Sequence, residues 1–172
     1  MFGLFWLGFY FIQAFYAELQ KLLNQPPKLS WWQTDAIYQI YVKTFFDSNN
    51  DGVGDLGGVI EKVDYLKSIG VKTVWLSPIY PSGGKDGGYD VTDFRKIDPV
   101  YGSMSDFDKL VDKLHANNMH ILMDLIPNHT SNKHDWFVQS CKSESAANLY
   151  RDYYVWFPST DQKNPPNNWV NI

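Results

Sequence analysis

Three apolar runs rich in β-branched and aromatic residues mark the chain: AIYQIYV (36–42), VKTVWLSP (71–78) and MHILMDL (119–125). Their length and composition predict buried strands. Two helical patterns lie between them. In GVIEKVDYLKSIG, Ile60, Val63, Leu66 and Ile69 recur every third residue, and Gly70 sits where a left-handed C-cap belongs. In SDFDKLVDKLHANN, Phe107, Leu110, Val111 and Leu114 share a face behind Ser105, the expected N-cap. The resulting order is strand, helix, strand, helix, strand.

The second helix and strand repeat the first. VDYLKSIGVKTVWL (63–76) and VDKLHANNMHILMD (111–124) align without a gap at an offset of 48 residues. Gly70 then meets Asn118, and these are the residues best tolerated at a left-handed helix end. Two copies of helix, cap and strand indicate a repeating β/α unit. Strands buried on both faces imply a parallel sheet with right-handed crossovers. The long loops then leave the C-terminal strand ends, where such folds place their sites. No GxGxxG opens either helix, so nothing supports a phosphate cradle.

Outside this pattern, Phe2 to Tyr16 is apolar. It is short for a bilayer span, which needs about 20 residues. It reads as the core of a signal peptide over residues 1–17, with Ala17 as the small residue before the cut. An uncleaved anchor is the alternative, because no Lys or Arg precedes the core and Phe15 is bulky. Secretion is therefore expected, with membrane association only if the leader is retained or an anchor lies further along. Pro26 and Pro27 mark a linker, and from Pro127 the pattern dissolves into polar loop, aromatics and prolines.

Composition narrows the function. The chain is 44% hydrophobic and 20% charged, enough to bury a core. A net charge of −4 argues against a nucleic-acid partner. Aromatics form 17% of the residues; most belong to a core, but exposed ones suit the apolar faces of sugar rings. The single Cys141 cannot pair internally.

Two loops carry candidate chemistry. DSNNDGVGD (47–55) brings the side-chain oxygens of Asp47, Asn49, Asp51 and Asp55 together with the Val53 carbonyl, a hard-cation set that suits Ca²⁺. Gly52 and Gly54 permit the wrap. An Asx-rich turn without an ion is the other reading. It is not an EF-hand: the twelfth position is Gly58, and YQIYVKTFF before it reads as strand. The second loop, KDGGYDVTDF, projects Asp86, Tyr89 and Asp90 around two glycines. Beyond it, Asp124 interrupts an apolar run at a strand's C-terminal end, and a buried carboxylate there needs a partner. His129 follows on the next loop. His115, His120 and His134 show no metal-ligand spacing and read as structural or surface residues.

Taken together, the segments from WWQTDAIYQIYVKTFF to DLIPNHT, and RDYYVWFPSTDQKNPPNNWVNI after them, closely resemble the α-amylase superfamily of glycoside hydrolases, in the manner of insect maltases and oligo-1,6-glucosidases. The resemblance covers about residues 30–172. It implies an α/β fold that is part of a (β/α)8 barrel, over 18–129, with an inserted domain beginning at 130–172. It implies retaining hydrolysis of α-glucosides such as maltose and oligosaccharides. Asp86 and Tyr89 would hold the non-reducing glucose, His129 would donate to it, and Asp124 would orient the site and pair with a later arginine. The 47–55 loop would be the calcium loop. Asn128, within an Asn-His-Thr sequon, would be a motif residue of the rim without a glycan. The family's nucleophile and general acid come from later strands, so these 172 residues are expected to be an inactive N-terminal portion. A non-catalytic relative, such as a transporter heavy chain or a receptor, is the alternative. Transporter heavy chains carry a cytoplasmic segment before their membrane helix, whereas the apolar run here starts at Phe2.

Overall fold

The structure, a computed structural model, describes residues 2–142 and 148–158. The chain divides into two compact units, 1–35 and 36–172. The first holds α1 (Phe2–Leu23) and the short α2 (Trp31–Thr34). Helix α1 runs through position 17 and past Glu18 and Lys21, whose side chains pair at 3.3 Å. Among the described residues no helix is long and apolar enough to cross a membrane.

The second unit is built on three parallel strands in the order β1-β2-β3. They are β1 (Ile37–Ile40), β2 (Thr73–Leu76) and β3 (His120–Met123). Ile37 pairs with Thr73, and Thr73 with His120. Helix α4 (Leu56–Ser68) and helix α5 (Met104–Ala116) are the two crossovers, each of 13 residues and offset by the predicted 48. Gly70 and Asn118 both take the left-handed conformation, with φ of 87° and 54°. The second copy then enters its strand one residue earlier than the first, so the strands pair at an offset of 47.

Three expectations are corrected, two by burial and one by helix capping. Only β2 is covered on both faces; β1 exposes Ile37 and Tyr38, and β3 is half-buried throughout. The reason is position: β1 and β3 each have one neighbour. The apolar face of α4 runs through Leu56, Val59, Val63 and Leu66, all fully buried, whereas Ile69 is 51% exposed. A strict three-residue spacing drifts off a helix of 3.6 residues per turn. Helix α5 starts after Ser103, not Ser105. Ser103 Oγ accepts from the Asp106 amide, and Asp106 returns a bond to the Ser103 amide at 3.0 Å. This reciprocal box satisfies two end donors, and Gly102, at φ 129°, turns the chain into it. Leu110 and Leu114 of α5 pack with Val63, Leu66, Val74 and Leu76 into one core.

The run 36–42 also ends sooner than predicted. After Ile40 the chain turns into the four-residue helix α3 (Val42–Phe45). A helical turn thus precedes the 47–55 loop, contrary to the strand reading of YQIYVKTFF. The EF-hand is still excluded, because Gly58 lies inside α4 with no side-chain oxygen.

Candidate functional site

The loops after β2 and β3 meet at the C-terminal ends of the strands. Asp124 is the first residue beyond β3. Its Oδ2 accepts a hydrogen bond from the Tyr89 hydroxyl at 2.9 Å, across 35 residues of sequence. That is the partner the half-buried carboxylate requires. Burial, then the bond to Asp124, raises the Tyr89 phenol above its ordinary pKa. Nearby Asp86 adds to this, since its negative charge opposes a phenolate. The Tyr80 hydroxyl, from the loop after β2, donates to the Asp124 carbonyl at 2.9 Å.

His129 closes the cluster. The Asn128 side-chain amide donates to His129 Nδ1 at 2.9 Å, which leaves the ring proton on Nε2. Nε2 then donates to the Tyr89 carbonyl at 3.2 Å. His129 and Asn128 are exposed, as is Asp86. The structure therefore brings Tyr89, Asp124 and His129 into direct contact, and it holds Asp86 beside them on the turn that ends at Tyr89. Next to His129 opens a cavity of about 670 Å³ whose walls include Phe94, Thr130, Trp136 and Tyr154.

Sequence reasoning passed over three contributors. Tyr80 follows an apolar run and looks like one more core aromatic. Ser131 and Lys133 fasten the β3 loop to the β2 loop: the Ser131 amide donates to the Val91 carbonyl, and Lys133 Nζ to the Gly83 carbonyl at 3.3 Å. Nothing local in the sequence announces either pairing. Segment 135–140 after this loop is helix α6 (Asp135–Ser140), capped by buried His134, whose Nδ1 accepts from the Trp136 amide. His134 is structural, as expected. Residues 143–147 and 159–172 of the expected inserted domain lie outside the described residues.

The 47–55 loop is a separate construction. Asp47 Oδ1 accepts from the amides of Asn49 and Asn50, and Oδ2 from Gly52 at 2.8 Å. The Gly52 amide in particular holds the Asp47 carboxyl below its ordinary pKa. Asn49 and Asp51 each accept from the amide two residues on. Asp55 is buried and caps α4: its Oδ1 takes Ser48 Oγ and the Gly58 amide, and its Oδ2 the Ser48 amide. Oxygen donors alone are the chemistry of Ca²⁺, and an accepting oxygen keeps a second lone pair. Among the described residues, however, no three Asp, Glu, His or Cys side chains gather closely enough to share an ion. The fit therefore lies in donor chemistry, with Asn49 and the Val53 carbonyl needed to complete it.

A parallel β/α arc with an acidic and aromatic rim at its strand ends defines the class: part of a (β/α)8 barrel with its candidate site at the C-terminal ends of the strands. The chain belongs to the alpha-amylase family, matching the alpha amylase catalytic domain over residues 39–172. It is 50% identical to an oligo-1,6-glucosidase of Bacillus cereus over 139 residues, 81% of this chain and 24% of that protein. It is 45% identical to an alpha-glucosidase of Culex pipiens over 87% of the chain and 25% of that protein. The amino acid transporter heavy chain SLC3A1 of Homo sapiens is 42% identical over 98% of the chain and 25% of its own length. Among solved structures, a MutB variant in complex with the substrate sucrose superposes with a TM-score of 0.78 at 42% identity, covering 83% of this chain and 25% of that one. The chain thus spans about a quarter of the length of the relatives it matches.

Proposed function

We propose that this chain forms the glucose-holding wall of a secreted α-glucosidase that removes terminal α-1,4-linked glucose from maltose and short oligosaccharides with retention of configuration. The observation that carries the reading is the bond from the Tyr89 hydroxyl to the Asp124 carboxylate, which joins two loops into one acidic, aromatic surface. Similarity to glucosidases along most of the chain supports it. On this reading Tyr89 offers its ring face to the sugar, and Asp86 accepts from its hydroxyls. His129 Nε2–H, now on a backbone carbonyl, turns to a sugar oxygen. Asp124 keeps Tyr89 oriented. Retaining chemistry needs a carboxylate nucleophile and an acid about 5 Å apart, and both are expected from later strands. The leader, residues 1–17, directs secretion. The 47–55 loop binds Ca²⁺ through Asp47, Asn49, Asp51 and the Val53 carbonyl. Asp55 joins through a lone pair not used on Ser48 or Gly58.

Calorimetric titration of the 172-residue chain with maltose tests the reading. Saturable binding that Asp86→Asn and Tyr89→Ala each weaken is the expected result. No saturable binding by the unaltered chain would reject it. A second reading, a non-catalytic heavy chain or receptor, draws on the likeness to SLC3A1 across nearly the whole chain. Turnover of p-nitrophenyl α-glucoside by the full-length product separates the two, since only the enzyme releases nitrophenol.

A further inference from the structure

Asp86 and Tyr89 sit on a turn that the local sequence alone would leave loose. The Tyr89 amide donates to the Asp86 carbonyl at 2.8 Å, and the two central residues, Gly87 and Gly88, both have positive φ, 57° and 103°. Such a turn is free of steric strain but easily lost, because its two glycines give up more conformational freedom in forming it than other residues would. Asp86 itself is exposed, so packing does not fix it. What fixes the turn comes from the next residue. Asp90 Oδ1 accepts from the Asp86 amide at 3.3 Å, and Oδ2 from the Lys85 amide at 3.2 Å. The Asp90 carbonyl accepts from the Gly83 amide at 2.9 Å. One residue thus ties both ends of the 83–90 loop.

The clamp is tight and it is anchored. A side chain at Gly83 would run into Asp90 Oδ2 and would come within 2.7 Å of Ser131 Oγ. Val91, the residue after Asp90, is fully buried; it bridges to Ser82 and accepts from the Ser131 amide at 2.8 Å. The Asp90 backbone is therefore anchored through its carbonyl and through buried Val91, and its carboxylate holds the start of the Asp86–Tyr89 turn.

We infer that Asp90 is a positioning residue: its carboxylate, gripping the amides of Lys85 and Asp86, sets Asp86 and the Tyr89 ring at the angle that a glucose requires. The inference rests on the sugar-binding reading of this site, and it adds a residue that need not touch the sugar. An Asn at 90 keeps the shape but turns an amide group toward one of the two N–H donors, so one bond is lost.

Two readouts separate the inference from the reading beneath it. The first needs no sugar. Carbon-13 NMR of the tyrosine ring reports ionisation of Tyr89, which burial, and then its bond to Asp124, holds back. In Asp90→Asn the Tyr89 midpoint should fall toward the ordinary tyrosine value, while the thermal midpoint stays near that of the parent chain. Gly83→Ala displaces the same carboxylate sterically without altering charge, and it should move Tyr89 the same way. If Asp90→Asn fails to fold, Gly83→Ala carries the test. The second readout is maltose affinity, expected to weaken roughly tenfold in both variants, the change that about 1.4 kcal/mol produces. An unchanged Tyr89 titration in both variants overturns the positioning role, whatever maltose does. A parent chain that ignores maltose while Asp90→Asn still shifts Tyr89 leaves Asp90 as a positioning residue and sinks only the sugar.

Discussion

The loop after β1 and the rim formed after β2 and β3 are made in opposite ways. The first is closed by bonds between near neighbours: Asp47 to residues 49, 50 and 52, Asp51 to Val53, Asp55 to Ser48 and Gly58. The second depends on contacts between residues 35 to 44 apart, Tyr89 with Asp124, His129 with Tyr89, Tyr80 with Asp124. A loop closed on itself can be rigid before the fold is complete. A rim closed across two strands exists only when the sheet has formed. The first should therefore report on stability and the second on ligand.

Asp55→Ala breaks the comparison hardest if it fails to hold. It removes a buried cap and leaves the Gly58 and Ser48 amides without an acceptor, at a cost of about 3 kcal/mol in urea denaturation. Calcium comes next. A hundredfold excess over its dissociation constant should raise stability by about 2.7 kcal/mol, a chelator should reverse this, and Asp51→Ala should abolish it. Maltose affinity should not respond to the ion. Tyr89→Phe deletes one hydroxyl from a charged partner, so sugar binding should weaken by about 2 kcal/mol, with the urea midpoint little changed.

The smallest effect concerns pH. Burial keeps His134 below its ordinary pKa of 6.5, with Arg95 acting the same way and Asp93 and Asp135 opposing. A depressed histidine pKa means the folded state prefers the neutral ring. Its contribution is complete above pH 6.5 and is lost as pH falls toward the folded value. Protonation would also place a hydrogen on Nδ1, which now accepts the Trp136 amide. The urea midpoint should thus decline on acidification below pH 6.5, and His134→Asn, which retains a cap acceptor, should flatten the decline.

The contrast also explains what the sequence revealed. The β/α repeat was legible because helix, cap and strand are local: Gly70 and Asn118 occupy equivalent left-handed ends. The Asx-rich turn at 47–55 was legible for the same reason. Ser103 was missed in favour of Ser105 because both have an Asp three residues on, and only Gly102 and the packing ahead of it decide. At the rim, the residue types of Tyr89, Asp124 and His129 suggested a site, but their convergence follows from parallel strand pairing, and resemblance supplied their roles. Tyr80, Ser131 and Lys133 could not be found, since each acts through partners more than 35 residues away. Apolar composition does not say which strands lie at an edge, so it predicts burial on both faces for β1 and β3 as it does for β2.

Amide NMR of the 172-residue chain during maltose addition is the most direct test of the central claim, that two loops joined through Tyr89 and Asp124 form one sugar-binding surface. Saturating shifts should appear together at residues 86–90 and 124–131 and be absent from 47–55. Shifts confined to one of the two rim loops, or centred on 47–55, would contradict it.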